Sequence, residues 1–179
     1  MSRCWLTGAS SGIGAALAHI LLEQGHQVAL GGRHADRLAP LAQKFPGQVI
    51  LAIGDLDKPE QVAGIAAQIE NAWGGLDMAI LNAGTCEYLE PGHFDPALVE
   101  RVMRTNLLGV SYCMAAALPL LRAGHRPHLV VMGSSVTWLA LPRAGAYGAS
   151  KAAVRYLVES QRIDLAREGI AVTLVSPGF

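Results

Sequence analysis

Thr7-Gly8-Ala9-Ser10-Ser11-Gly12-Ile13-Gly14 is the stretch on which the fold turns. Strand-like Cys4-Trp5-Leu6-Thr7 runs straight into it. A helical pattern follows at once, with Ile13, Ala16, Leu17, Ile20 and Leu21 on one face and a stop at Gly25. Glycines permit a tight turn and let the backbone approach a ligand closely. The first N–H groups of the helix have no intrahelical acceptor, so they suit an anion such as a pyrophosphate. A glycine pattern alone is weak, but its place between a first strand and a first helix gives it weight. No Gly-Lys-Ser/Thr occurs, which disfavours a P-loop.

Outward from that turn, short apolar runs alternate with amphipathic ones. The runs are Val28-Ala29-Leu30, Val49-Ile50-Leu51-Ala52-Ile53, Met78-Ala79-Ile80-Leu81, Leu129-Val130-Val131-Met132 and Ala171-Val172-Thr173-Leu174-Val175. They are continuously hydrophobic, as expected for strands buried on both faces. Asp57-Lys58-Pro59-Glu60 has the form of a capping box with proline in the first helical turn. A long apolar helix is expected over roughly 96–121, and another from near Tyr147 to about Arg167, ending at Gly169. Strands alternating with helices predict an α/β fold: a doubly wound parallel sheet covered on both faces by right-handed crossovers. The 179 residues suit one domain, 1–179.

Composition narrows the function. Hydrophobic residues make up 51% and charged residues 16%, a globular balance. Net charge is +0 from 14 basic and 14 acidic side chains, with no basic block, which argues against nucleic acid as a partner and against a membrane surface. No apolar run is long enough to span a bilayer. Met1-Ser2-Arg3 leads directly into a strand, so no signal peptide is expected. Cys4, Cys86 and Cys113 are odd in number and lack metal-ligand spacing, as reduced cytoplasmic thiols would. His125 and His128 sit in a helix-to-strand loop beside Pro127, without the further ligands a metal needs. No metal site is expected. No Gly-x-Ser-x-Gly surrounds Ser134, which disfavours a hydrolase.

Tyr147 and Lys151 lie four apart at the start of a helix-like run, on one face. A fixed cation near a phenol favours the phenolate, so the pair suits proton exchange with an alcohol oxygen. By itself, a Tyr-x-x-x-Lys is usually only a helix surface.

With both ends of the chain considered, the sequence resembles the short-chain dehydrogenase/reductase family, whose sheet is Rossmann-like. Thr7, Gly8, Gly12 and Gly14 match its glycine motif, and Asn82-Ala83-Gly84 its Asn-Ala-Gly after the fourth strand. Asn106, Ser134, Tyr147 with Lys151, and Pro177-Gly178 match its remaining motifs in order along the whole chain.

The resemblance implies an oxidoreductase that interconverts a carbonyl and a secondary alcohol with a nicotinamide cofactor. Tyr147 would exchange the proton with the substrate oxygen. Lys151 would support the phenolate and hydrogen-bond the nicotinamide ribose. Ser134 would hold the substrate oxygen, and Asn106 would anchor a water leading from Lys151. Spacing to Tyr147 favours Ser134, whereas Ser135 fits if the loop before Pro142 is one residue short. Gly8, Ser10, Ser11, Gly12, Ile13 and Gly14 would cradle the diphosphate. Asp55 and Leu56 would meet the adenine, while Asn82, Ala83, Gly84, Pro177 and Gly178 would complete the cofactor site. Asn82 fits sheet packing as well as binding, and Asn106 fits a buried polar role.

Cofactor choice is decided at the end of the second strand. An acid there binds the ribose hydroxyl of NAD(H), and an arginine suits the extra phosphate of NADP(H). Gly31-Gly32-Arg33 places Arg33 at that point, with Asp36 one step too late, so NADP(H) is expected to be preferred, with NAD(H) possible. Trp138, Leu139 and Leu141 line either an apolar substrate wall or a packed surface loop. Family members run to about 250 residues. By that measure the chain is expected to lack a seventh strand and the helices covering the substrate. The alternative function is therefore a nucleotide-binding or interaction protein without turnover. A third is epimerisation or dehydration on the same scaffold. Assembly as a homodimer or homotetramer through the helices near 96–121 and 147–168 is also implied.

Overall fold

Six parallel strands form one sheet in the order β3-β2-β1-β4-β5-β6 in this computed structural model, which describes residues 1–178. The strands are β1 (Arg3–Leu6), β2 (Gln27–Gly32), β3 (Val49–Ile53), β4 (Met78–Leu81), β5 (His128–Met132) and β6 (Ala171–Val175). The helices are α1 (Gly12–Glu23), α2 (Ala39–Lys44), α3 (Pro59–Trp73), α4 (Pro96–Met103), α5 (Gly109–Arg122) and α6 (Gly145–Ala166). The doubly wound α/β expectation holds strand by strand.

Alternate residues of each strand feed opposite faces. Trp5, Ala29, Ala79, Leu81 and Leu129 pack with Ile65 and Ile69 of α3, Cys113 and Ala117 of α5, and Val154 and Val158 of α6. Cys4, Leu6, Val28, Leu30 and Ile80 pack with Ala18, Leu21 and Leu22 of α1. Each fully buried Val, Leu or Ile among them contributes about 1.5–3 kcal/mol. Both faces are covered over the inner strands, which read as unbroken apolar runs, whereas edge strand β6 departs from the expectation, with Ala171, Thr173 and Val175 exposed because no neighbour among the described residues covers that side.

The crossovers place the site. Strand order reverses between β1 and β4, so the loops leaving their carboxyl ends part and open a crevice. α1 stops where the sequence places the stop. Gly25 takes φ +80°, its N–H donates to Leu22 O at 3.0 Å, and the N–H of His26 donates to Leu21 O at 3.0 Å.

Two local expectations are corrected. No capping box opens α3: Lys58 is the N-cap and makes no side-chain cap bond, while Asp57 Oδ2 accepts from Thr105 Oγ1 at 3.0 Å. One Asp57 oxygen thus serves a tertiary contact, and the other, Oδ1, is buried without a partner among the described residues. The helix over roughly 96–121 is also not uniform. A π turn at Arg104–Leu108 separates α4 from α5 and carries Asn106. Such turns insert one residue and re-aim the side chains beside them. Among the described residues, no helix is long and apolar enough to cross a membrane.

Candidate functional site

The glycine turn is built by side chains from a neighbouring strand. Thr7 Oγ1 accepts from the N–H groups of Asn82 at 2.9 Å and Ala83 at 3.0 Å. Asn82 Nδ2 donates to Thr7 O at 3.1 Å and Gly8 O at 3.2 Å. Asn82 thus joins the first and fourth loops, and its amide hydrogens serve the turn itself. The three glycines act for different reasons. A Cβ on Gly14 would stand 2.0 Å from Gly8 O, so crowding requires glycine there. A Cβ on Gly8 would stand 2.8 Å from Ala83 Cα, and its φ is +68°. Gly12 has open space around it but φ +53°, so only backbone conformation favours glycine.

A cleft of about 570 Å³ lies over this turn. Gly8, Ser10, Ser11, Ile13 and Gly14 form its floor, with Arg33 after β2 and Asp55 and Leu56 after β3 along one side. Asn82, Ala83 and Gly84 form the opposite side. A bare glycine backbone, a helix N-terminus and an arginine at the far end fit a diphosphate-bearing dinucleotide. Gly12 does not line the cleft. Sequence reasoning missed Thr85, Asp57, Arg101, Arg104 and Thr105, which do line it. The only sequence signal for them was adjacency, Thr85 to Gly84 and Thr105 to Asn106.

Tyr147, Lys151 and Asn106 gather beyond Gly84. Lys151 is 4% exposed and donates from Nζ to Met132 O at 2.8 Å, with Nζ 5.9 Å from the centre of the Tyr147 ring. Burial lowers the Lys151 pKa to about 8. A Cβ on Gly84 would lie 3.5 Å from Lys151 Nζ and 3.2 Å from Asn106 Oδ1, so Gly84 makes room for both. Asn106 is fully buried; its Oδ1 accepts from Thr85 N at 2.8 Å and its Nδ2 donates to Thr85 O and Ser150 Oγ, each at 2.9 Å. Both amide hydrogens are engaged within the protein.

The two serines differ. Ser134 Oγ accepts from Val136 N at 3.2 Å. Ser135 Oγ is buried with no hydrogen-bond partner, although its N–H donates to Pro177 O at 3.0 Å. Pro177 is thereby tied to the serine loop, while Gly178 stands in open space. Trp138 and Leu139 are each 62% exposed, and Arg155 lies over the Trp138 ring at 4.8 Å. The two histidines serve separate contacts: His125 N donates to Asp77 Oδ1, and the His128 ring pairs with Thr173 Oγ1.

Comparison with known proteins agrees with this geometry. Residues 3–179 match the family model described as short chain dehydrogenase. The chain is 35% identical over 181 residues to an uncharacterized oxidoreductase of Mycobacterium tuberculosis, covering 97% of this chain and 71% of that one. It is 35% identical over 181 residues to a glucose 1-dehydrogenase of Gluconobacter oxydans, covering 97% and 67% respectively. An alcohol dehydrogenase from Thermococcus sibiricus, solved with 5-hydroxy-NADP, superposes with a TM-score of 0.90 at 29% identity over 99% of this chain and 76% of that one. Family model, relatives and fold agree over nearly the whole chain, and the chain belongs to the short-chain dehydrogenase family of NAD(P)-dependent oxidoreductases.

Proposed function

We propose that this protein interconverts a small-molecule carbonyl and a secondary alcohol, with NADP(H) preferred over NAD(H). The observation that carries the reading is the buried Lys151 ammonium, aimed by Met132 O and set beside Tyr147 next to Gly84 of the cleft. When bound, the nicotinamide supplies or accepts the hydride at the substrate carbon. Tyr147 gives the proton to the resulting oxygen, or takes it in the reverse direction. Lys151 sets a positive charge beside Tyr147, and Gly8 with the first turn of α1 holds the diphosphate.

Two hydroxyls compete for the substrate oxygen. Ser134 keeps its O–H free to donate while its lone pair caps Val136. Ser135 has a buried Oγ whose bonding capacity nothing in the protein uses, and this favours Ser135. Ser134→Ala and Ser135→Ala compared for kcat separate the two, since the substrate-holding serine loses about a hundredfold.

NADP(H) preference rests on Arg33, which lies exposed at the end of β2, lines the cleft and makes no ion pair among the described residues. The Thermococcus relative solved with an NADP derivative points the same way. Purified protein tested with NADPH and NADH against aldehydes, ketones and sugars decides the matter. Turnover lost in Tyr147→Phe and NADPH affinity lost about tenfold or more in Arg33→Ala are expected. Equal use of both cofactors sinks the preference. Exposed Tyr156 and Ile163 on α6 support assembly into a homodimer or homotetramer, readable by light scattering. Three unpaired cysteines support a cytoplasmic setting.

A further inference from the structure

We infer that Ser150 is a positioning residue for Tyr147, fixing the first turn of α6 to the π turn that carries Asn106. The inference rests on the activity proposed above.

The turn that carries Tyr147 is weak by itself. Its N-cap, Ala144, makes no side-chain cap bond. Gly145 and Gly148 flank the tyrosine, and a glycine inside a helix weakens it relative to alanine. A helix end with no cap and two glycines frays. Yet a proton donor must be held within about half an ångström of its working position.

Ser150 supplies what the local sequence lacks. It is fully buried, its Oγ donates to Tyr147 O at 2.7 Å, and it accepts from Asn106 Nδ2 at 2.9 Å. The hydroxyl therefore bridges the carbonyl of the tyrosine itself and a side chain from another element. Asn106 is fixed in turn by two bonds to the backbone of Thr85, which follows the Asn82-Ala83-Gly84 wall of the cleft. The Tyr147 turn is thus referenced to the cofactor wall and not merely to its own helix. Lys151, the next residue, is clamped separately by Met132 O. The backbone of the tyrosine turn and the ammonium consequently have separate anchors.

The test uses Ser150→Ala and Ser150→Thr in the full chain. Residue-resolved hydrogen exchange reports the first turn of α6, fluorescence titration reports NADPH affinity, and steady-state kinetics report kcat and KM. Ser150→Ala is expected to speed exchange at the first turn of α6 while leaving its last turns unchanged. It should lower kcat by about tenfold to a hundredfold, with KM and NADPH affinity within about twofold. Ser150→Thr, which keeps the hydroxyl, should recover most of both effects. Unchanged exchange in Ser150→Ala overturns the inference whatever the activity. Faster exchange with unaltered kcat also overturns it, because the bond would then be structural only. If the unmodified protein reduces no carbonyl tested, the proposed activity fails, and the exchange data still decide the anchor. A Ser150→Ala chain too unstable to assay leaves Ser150→Thr to be measured against the unmodified protein. Faster first-turn exchange and lower kcat in that folded variant would count against the hydroxyl as the anchor.

Discussion

Replacing Lys151 with methionine should abolish turnover and at the same time remove a pH-dependent burden on the fold. Burial lowers the Lys151 pKa from 10.5 to about 8, so the folded state binds the proton less tightly than the unfolded chain does. The sign follows from proton counting. Between those two values the unfolded chain carries the proton and the folded one does not, so stability rises as pH rises through that window. Below it both states are protonated, and the full penalty for burying the charge applies. At about 1.36 kcal/mol per pH unit, the penalty is roughly 3 kcal/mol near neutrality. Methionine fills a similar volume and has no proton to lose. The stability difference between the unmodified protein and Lys151→Met should therefore shift by roughly 2.5 kcal/mol toward the unmodified protein from about pH 7 to about pH 10. Urea unfolding of both proteins at the two pH values measures it. A difference that stays constant with pH would falsify the claim that the ammonium is held desolvated beside Tyr147.

Three other outcomes follow from the geometry. Gly14→Ala puts a Cβ 2.0 Å from Gly8 O, so the turn must break and stability should fall by more than about 3 kcal/mol in chemical denaturation. Gly12→Ala meets no neighbour and is strained only by φ +53°, so about 1–2 kcal/mol is expected; equal losses in the two variants would contradict the assigned roles. Asp77→Asn should cost about 1.5–3 kcal/mol at neutral pH by replacing the charged partner of the partly buried Arg3 with a neutral one, measured by the same unfolding. Burial opposes the Asp77 carboxylate, yet Arg3 and the N–H groups of Arg3 and His125 hold its pKa well below the ordinary 3.8. That contribution is present above the ordinary value and is lost as pH falls toward the folded one, so the acid limb of the stability curve should flatten in Asp77→Asn.

Most of the candidate site was legible because its parts are local. The glycine turn, Asn82-Ala83-Gly84 and Tyr147 with Lys151 each occupy a few consecutive residues, and backbone geometry fixes what those residues can do. The π turn was not legible. Arg104-Thr105-Asn106-Leu107-Leu108 has ordinary helical residues, and its extra residue is stabilised by Asn106 bonds to Thr85 and Ser150, 21 and 44 positions away. At Asp57 the expected capping box is absent and Oδ2 instead meets Thr105, 48 positions off, a contact no local pattern announces. Spacing favoured Ser134 over Ser135 in the sequence, but adjacent hydroxyls also differ in where each points, and spacing does not encode that.

By itself the sequence determined a parallel sheet with a glycine turn between its first strand and first helix, and a phenol and ammonium one helical turn apart. Periodicity and short-range sterics are enough to impose all of these. Only the tertiary structure decided what each group is bonded to. Asn82 became a brace for the turn, Asn106 a tie between loops, and Lys151 a buried cation held by Met132 O. Desolvation and hydrogen bonding depend on which distant backbone atoms arrive beside a side chain, and no local pattern encodes that arrival.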